Sequence, residues 1–185
     1  LARDVPGMAV QITTEAVGRY SPDEQRAVVH AVMPKMVSVA LREMMPDRHD
    51  EEALRFYAWA QEAGISVQHI LYGPDELERL LGLVERDSLP GKDLQLLFVL
   101  GRYAKNEESD PLDLLAFLEI LRSSEQAADW AVCAFGRGET AGLQAAFSAG
   151  GKARVGFENS LWNADGTVAG DNAERVRAIA ALQSR

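Results

Sequence analysis

The stretch "SVQHILYGPDELERLLGLV", residues 66–84, places a short apolar run directly before a segment that carries a helical start signal. The run 66–71 has the length and the near-continuous apolarity of a parallel strand that is covered on both faces. Pro74 and the acids that follow it are typical of a first helical turn, where proline is tolerated and negative charge is favoured. The stretch therefore predicts one β-strand followed by one α-helix.

The same β-then-α order recurs along the chain. Further apolar runs occupy residues 8–13, 36–41, 94–100, 130–135 and 153–157. Helical patterns lie between them: Ser21 is the expected N-cap of the first, and Asp171 or Asn172 caps the last. Six such units predict a parallel α/β fold with right-handed crossovers. Two arrangements remain open at this level, namely three quarters of an eight-unit barrel and a doubly wound open sheet.

Composition narrows the class of protein. The 185 residues suffice for a single domain, residues 1–185, and are 47% hydrophobic and 25% charged. A formal net charge of -9 disfavours nucleic acid as a partner, because phosphate contacts need a basic face. No apolar run is long enough to span a membrane, and residues 1–10 lack a signal-peptide pattern. One cysteine, Cys133, fits a cytoplasmic setting, and its mid-strand position predicts a packing role rather than a nucleophile.

The last apolar run carries two charges. If residues 153–157 continue as a strand, Arg154, Gly156 and Glu158 point to one face, with the two charged residues about 13 Å apart. Buried charges are rare unless they are paired or bind a metal. Two interpretations follow, an ion pair with no further role and a functional site in which the glycine lets the arginine extend towards the glutamate.

The amino-acid sequence around this last apolar run resembles that of a known family. "ARVGFENSLWNADGTVAGDNAERV", residues 153–176, resembles the closing segment of the β-keto acid cleavage enzymes. The stretches "VQITTEAVGRYSPDEQR", "AGISVQHILYGPDEL", "LLFVLGRYA" and "WAVCAFGRGE" are similar to earlier strands of that family. The resemblance runs from about residue 8 to the end. It implies a (β/α)8 TIM barrel of which this chain covers about strands three to eight and their helices, lacking the first two β/α units.

The resemblance also implies a reaction and a metal. Family members exchange acyl groups between a β-keto acid and acetyl-CoA, giving acetoacetate and a new acyl-CoA, and they bind one Zn²⁺ through a His-x-His pair and a glutamate. Glu158 matches that glutamate, and Arg154 matches a catalytic arginine. The chain has three histidines, His30, His49 and His69, and no His-x-His. The two histidine ligands are therefore expected outside this sequence, and activity of the chain alone is left open.

Two positions depart from the family pattern. Asn159 stands where many members carry an aspartate, and Gln68 aligns with a glutamate on the family's fifth strand. Together with Arg154 these amides would keep the hydrogen-bond geometry of the cluster, but they could not take a proton. His69 follows Gln68 directly, so it points to the other face of the strand, where a hydrogen-bonded, helix-facing histidine is expected.

Hydroxyl and basic side chains complete the candidate site. Thr13, Thr14 and Ser38 are expected to contact the substrate carboxylate or keto group, although threonine is also common in strands. The sequence "FGRGE", residues 135–139, joins a strand to a helix, a place where backbone N–H groups bind phosphate. The residues expected to bind CoA phosphates are Gly136, Arg137, Gly138 and Arg102.

Assembly and an alternative role follow from the same comparison. The family usually forms tetramers, so a homo-oligomer is expected by resemblance, with a β-keto acid and acetyl-CoA as its small-molecule partners. The alternative is a non-catalytic barrel fragment that binds an anion or a partner chain, favoured by the missing strands and by the two amides.

The charged segment "MMPDRHDEEALRFY", residues 44–57, predicts a loop and a solvated helix start.

Overall fold

The computed structural model describes residues 4–47, 50–104 and 106–183, so that His49 lies outside the described residues. Six parallel strands alternate with helices, which confirms the predicted α/β class. The strands follow one another in the order β1-β2-β3-β4-β5-β6, and within the described residues the sheet is open. A sequential order is that of a (β/α)8 barrel, whereas a doubly wound sheet reverses its order at a switch point. The fold is therefore that of part of a TIM barrel.

The helices and strands have the following bounds. The strands are β1 (Ile12–Thr13), β2 (Met36–Ala40), β3 (Ser66–Leu71), β4 (Leu94–Leu100), β5 (Ala128–Ala134) and β6 (Lys152–Ala153). The helices are α1 (Pro22–Val32), α2 (Leu41–Met44), α3 (Glu51–Glu62), α4 (Pro74–Glu85), α5 (Leu114–Ser123), α6 (Glu139–Ser148) and α7 (Asn172–Gln183). Short 3-10 turns over Pro111–Asp113 and Gly136–Gly138 precede α5 and α6.

The chain forms two compact units. The first comprises the residues up to Ile70 together with Arg79–Gln95, and it contains the parallel pairs β1–β2 and β2–β3. Ser21 caps α1 in a capping box with Glu24, as the sequence predicted for this N-cap. Val37 and Val39 of β2 are fully buried. The buried residues of α3 are Ala53, Phe56, Tyr57 and Ala60.

The second unit comprises Leu71–Glu78 and the residues from Leu96 onward. β5 pairs in parallel with β6, and α6 packs against both strands. Phe98 of β4 stacks on Phe117 of α5 with ring centroids 4.6 Å apart, which buries two large aromatic side chains in one contact. Cys133 is buried within β5, and burial raises the pKa of its thiol to about 12, in keeping with a packing role.

Two element predictions are wrong in extent. The run 8–13 forms a strand only over Ile12–Thr13, and the run 153–157 forms one only over Lys152–Ala153. The segment 44–57 was expected to be a loop and a solvated helix start, and α3 does begin within it at Glu51, with Glu51 and Glu52 exposed. The same helix buries Phe56 and Tyr57, because its apolar residues recur at helical spacing on one face.

Candidate active site

Arg154 and Glu158 form an ion pair in the second unit. Nη2 of Arg154 donates to Oε2 of Glu158 at 2.6 Å, so the two groups do not lie about 13 Å apart along a strand, as the extended prediction required. The backbone turns after β6, and the N–H groups of Asn159 and Ser160 both donate to the carbonyl oxygen of Gly156. This turn folds Glu158 back over Arg154.

A side chain from α7 holds the turn. Oδ1 of Asn172 accepts a hydrogen bond from the backbone N–H of Phe157 at 3.0 Å. The N–H of Arg154, in turn, donates to the carbonyl oxygen of Val132 in β5 at 2.8 Å. The bond from Arg154 extends the pairing of β6 with β5 by one residue. The strand ends there because the backbone then turns at Gly156, and the N–H of Phe157 bonds to α7 instead.

The ion pair is open to solvent. The side chain of Arg154 is 37% exposed and that of Glu158 is 60% exposed. Exposed pairs of this kind contribute at most about 1 kcal/mol, so a ligand carboxylate or a metal ion can displace one partner at little cost. The interpretation as an ion pair is therefore correct as geometry.

Asn159 lies beneath this pair and is only 7% exposed. Its side-chain Nδ2 donates to the backbone carbonyl oxygen of Arg154 at 3.4 Å, and its backbone carbonyl oxygen accepts a hydrogen bond from the N–H of Gly136 at 3.1 Å. Its Oδ1 is buried with no hydrogen-bond partner among the described residues. Asn159 thus connects the charged turn to the glycine turn after β5, and it retains one unused acceptor.

The glycine turn, residues 136–138, already binds an anionic group of the chain itself. Oε2 of Glu108 accepts hydrogen bonds from the N–H groups of Arg137 at 2.6 Å and Gly138 at 3.4 Å. Gly136 has a φ of 75°, and a Cβ there would clash with the Glu108 carboxylate and the Glu107 carbonyl. The turn therefore has the N–H geometry predicted for anion binding, with an internal carboxylate in the position of the anion.

Arg137 and Arg102 each contact an aromatic ring. The Arg137 guanidinium carbon lies 3.6 Å from the centroid of the Trp162 ring, a close cation–π contact. Arg102 pairs with Glu107 at 3.1 Å and lies over the Phe135 ring at 5.1 Å. Both guanidinium groups thus flank the glycine turn from within the same unit.

The first unit aligns three of the candidate residues in one row. Thr13 is the register partner of Ser38, and Ser38 is the register partner of Gln68. Neighbours in register on parallel strands point to the same face, so two hydroxyls and an amide share one face of this part of the sheet. Oε1 of Gln68 accepts from Nε2 of Gln11 at 3.2 Å. Thr14 is buried, with its Oγ1 at 3.5 Å from the carbonyl oxygen of Ser38.

A metal site is not complete within the described residues. No group of three histidine, cysteine, aspartate or glutamate side chains that could hold a metal ion occurs in residues 4–47, 50–104 and 106–183. Glu158 supplies one exposed carboxylate and no more. The donors of the described residues therefore do not by themselves fit the four-coordinate site that zinc prefers.

A buried ion pair next to this site was missed from the sequence. Nη2 of Arg175 in α7 donates to Oε2 of Glu139, the first residue of α6, at 2.6 Å, and both side chains are 1% exposed. Burial raises the pKa of Glu139, while the hydrogen bond from Arg175 opposes that rise. The signal was weak, because both residues lie in helices and resemble ordinary surface charges.

Arg175 also ties the segment after the charged turn to α6. It donates to Oδ1 of Asn163 at 3.3 Å and to Oγ1 of Thr140 at 3.1 Å. Asn163 closes a short turn through its N–H to the carbonyl oxygen of Thr167, and its Nδ2 donates to Glu174. The buried arginine therefore fixes the loop that continues from Glu158.

A family model described as beta-keto acid cleavage enzyme matches residues 1–185. The chain belongs to the beta-keto acid cleavage enzyme family. This membership confirms the resemblance found in residues 153–176 and assigns the chain to a class of enzymes that act on small molecules. No helix among the described residues is long and apolar enough to cross a membrane.

Proposed function

We propose that this chain carries part of the active site of an enzyme that exchanges acyl groups between a β-keto acid and acetyl-CoA, giving acetoacetate and an acyl-CoA. Family membership supports the substrate class at a coarse level. The observation that carries the finer proposal is the exposed pair of Arg154 and Glu158, a cation and an anion held 2.6 Å apart on a turn beside β6.

Arg154 is the residue that would meet the acid substrate. A guanidinium binds a carboxylate through two parallel hydrogen bonds, and it also stabilises a developing enolate oxygen. Substrate would exchange with Glu158 as the partner of Arg154, which costs little because the pair is exposed. The enolate of the keto acid would attack the thioester of acetyl-CoA and release the CoA thiolate. That thiolate would then attack the original keto carbonyl, and cleavage of the bond from this carbonyl to the α-carbon would give the acyl-CoA and the enolate of acetoacetate, which takes back the proton removed at the start.

Amides and hydroxyls would supply neutral contacts. Asn159 would hold Arg154 through its hydrogen bond to the backbone carbonyl oxygen of that residue, and Gln68 would hydrogen-bond substrate. Neither amide can accept a proton at neutral pH. Thr13, Thr14 and Ser38 would contact the carboxylate or keto oxygen of the substrate. Proton removal would therefore fall to a group other than these two amides.

We propose Zn²⁺ as the cofactor, with Glu158 as one ligand and the two histidine ligands outside this sequence. When bound, zinc would supply Lewis acidity towards the keto and carboxylate oxygens of the substrate. An oxygen ligand on an exposed turn is chemically suitable for such a metal.

The glycine turn would bind a phosphate of acetyl-CoA. Arg137 and Gly138 would contribute backbone N–H groups, and Arg137 and Arg102 would contribute positive charge. Gly136 would supply the left-handed backbone conformation of the turn, while its own N–H stays bonded to Asn159. Glu108 lies where such a phosphate would bind, so the phosphate would have to displace it. We further propose that the enzyme acts as a cytoplasmic homo-oligomer, as its family does.

A second function is favoured by one observation. Asn159, at the centre of the charged turn, is an amide where a base would be needed. A protein that only binds an anionic ligand at Arg154, and catalyses no reaction on it, would need no base at position 159.

One experiment separates these functions. The full-length natural protein that contains this chain is dialysed against a weak chelator, its zinc is measured by elemental analysis, and acetyl-CoA is incubated with a panel of β-keto acids. We expect acetoacetate and an acyl-CoA by mass spectrometry, and their loss in Glu158→Gln but not in Glu125→Gln, which changes an exposed carboxylate elsewhere. Binding of a β-keto acid with no product would favour the second function, and neither binding nor product would exclude both.

A further inference from the structure

The side chain of Arg137 lies on the ring of Trp162 in the second unit. Its guanidinium carbon is 3.6 Å from the ring centroid, well inside the roughly 6 Å within which cation–π contacts form. This separation is that of two atoms in van der Waals contact, so the planar guanidinium lies nearly flat over the ring. An edge-on approach would push its nitrogen atoms into the ring.

This contact uses the face of the guanidinium and not its hydrogen-bond donors. The N–H groups of an arginine lie in the guanidinium plane and point outward from its edge. Within the described part of the chain Arg137 makes no ion pair, whereas Arg102 pairs with Glu107 and Arg154 with Glu158. Arg137 is therefore a cation that a ring holds in place while its donors stay open to a ligand.

Trp162 is itself fixed by the loop that follows β6. Its backbone N–H donates to Oγ of Ser160 at 3.1 Å, and Ser160 is buried. Trp162 also pairs with Val168 in an antiparallel bridge that closes this loop. The buried Arg175 donates to the side chain of Asn163, the next residue of the loop. The ring under the guanidinium thus belongs to a loop that is tied to its surroundings on several sides.

The held side chain starts from the glycine turn. The backbone N–H groups of Arg137 and Gly138 converge on Oε2 of Glu108, at 2.6 and 3.4 Å. One residue therefore supplies both a convergent N–H group and the nearby guanidinium. A phosphate has three or more oxygens that accept hydrogen bonds, so it can bind the backbone donors and the guanidinium together.

Holding the arginine in advance matters for affinity. The Arg137 side chain is exposed, and a long exposed side chain loses rotamer freedom when it binds a ligand. A guanidinium that already lies on a ring has lost much of that freedom before the ligand arrives, so binding opposes a smaller entropy loss. The ring thereby strengthens a contact that it does not itself make.

We propose that Trp162 is a positioning residue for acetyl-CoA: it holds the Arg137 guanidinium so that the N–H edge of this group meets a phosphate of the nucleotide. This inference rests on the phosphate site proposed above and adds to it a residue and a selectivity. Trp162 would favour thiols and thioesters that carry the phosphates of CoA over those that carry only its pantetheine arm.

Binding of CoA and of pantetheine, which lacks the nucleotide and its phosphates, tests the proposal without requiring turnover. Each is titrated by calorimetry into the full-length natural protein that contains this chain and into its variants. Trp162→Leu removes the ring, Trp162→Phe keeps a smaller one, and Arg137→Ala removes the guanidinium. Trp59→Leu is the control, because Trp59 is a half-buried tryptophan of α3 that contacts the His30 ring in the first unit.

We expect Trp162→Leu to weaken CoA binding by about tenfold and to leave pantetheine binding and the Trp59→Leu control unchanged. Trp162→Phe should recover most of the loss, since a phenyl ring also binds a guanidinium by its face. In an Arg137→Ala background, Trp162→Leu should have no further effect. Unchanged CoA affinity in Trp162→Leu, an equal loss for pantetheine, or a tenfold loss that persists without Arg137 would each overturn the proposal.

Acetoacetate formation, measured on the same preparations, separates this inference from the function on which it rests. Acetoacetate formed with unchanged CoA affinity in Trp162→Leu would overturn the role of Trp162 and leave the acyl exchange standing. The expected loss of CoA affinity in a protein that forms no acetoacetate would support the role of Trp162 and contradict the acyl exchange. No saturable binding of CoA to the natural protein would overturn the role of Trp162.

Discussion

Nη2 of Arg154 and Oε2 of Glu158 lie 2.6 Å apart because the backbone turns at Gly156, and not because a strand carries both side chains on one face. Since the pair is exposed, its contribution to folding is small. The role proposed for Arg154 therefore predicts that a substitution there changes turnover more than stability.

Arg154→Lys should therefore impair turnover and leave stability nearly unchanged. Lysine keeps the charge but loses the planar, two-pronged geometry that fits a carboxylate, so we expect kcat to fall by about 100-fold. The free energy of unfolding should change by less than about 0.5 kcal/mol, as for other surface substitutions. Steady-state kinetics and urea unfolding measure the two quantities. Arg177→Lys, at an exposed arginine of α7, is the matched control. An unchanged kcat in Arg154→Lys would show that the guanidinium of Arg154 takes no part in the reaction.

Asn159→Asp would introduce a carboxylate at the position where the family resemblance implies one. The new group would be buried next to the carbonyl oxygen of Arg154, which raises the pKa of its carboxyl and costs about 1–3 kcal/mol of stability. If the amide limits proton transfer, the variant should gain an ionisation in the pH profile of kcat that the natural protein lacks. Asn159→Leu, which has no ionisable group, serves as the control. Identical pH profiles in the natural protein and in Asn159→Asp would show that position 159 takes no part in proton transfer.

Glu108→Ala tests the glycine turn. Removing the carboxylate frees the N–H groups of Arg137 and Gly138, so a CoA phosphate no longer has to displace an internal anion. We expect KM for acetyl-CoA to fall by roughly tenfold, the magnitude of one charge-assisted hydrogen bond. Glu125→Ala removes the same charge at an exposed position elsewhere in the unit. A KM that is unchanged or higher in Glu108→Ala would place the phosphate at a different site.

Much of the architecture was predictable from the sequence, for a physical reason. Strands buried on both faces are continuous apolar runs, so β3 and β4 were predicted with their observed bounds, 66–71 and 94–100. Helix starts such as Ser21 were predictable because capping depends on a few adjacent residues. The family assignment rested on residues 153–176, whose succession of charged, glycine and turn residues is specific.

The geometry of the site was less predictable, because it depends on contacts between segments distant in sequence. The turn at Gly156 is held by Asn172 of α7, and the glycine turn is filled by Glu108 from the loop after β4. Neither contact has a local signature. The buried Arg175 was equally hidden, because a charge on a helix looks the same in a sequence whether water or Glu139 is its partner.

That buried pair yields a stability prediction. Arg175→Met leaves Glu139 in the core without its cation, so the free energy of unfolding should fall by about 3–5 kcal/mol. The double variant Arg175→Met with Glu139→Leu removes both charges and should recover most of the loss, since paired burial is weakly stabilising at best. Urea unfolding of the natural protein, of the single variants Arg175→Met and Glu139→Leu, and of the double variant forms a double-mutant cycle. Equal losses in the single and double variants would show that Arg175 acts through packing alone.

His69 should make stability depend on pH. Its pKa is lowered by burial to about 4, against 6.5 in an unfolded chain, so the unfolded state binds a proton first as the pH falls. The part of the stability that depends on neutral His69 is fully present above pH 6.5 and is lost progressively between pH 6.5 and 4. Between pH 7 and pH 5 the loss from this one group amounts to about 2 kcal/mol. Tyr57, whose pKa is raised and which stays neutral in this range, is the titratable group that faces His69.

Urea unfolding at pH 7 and pH 5 measures this loss in the natural protein and in His69→Gln. Glutamine does not titrate, so the variant should lack the 2 kcal/mol component (a value from the linkage relation) whatever its stability at pH 7. His30→Gln, at an exposed histidine of α1, should retain it. If His69→Gln loses as much stability between the two pH values as the natural protein does, then the pKa of His69 is the same in the folded and unfolded states, and burial does not lower it.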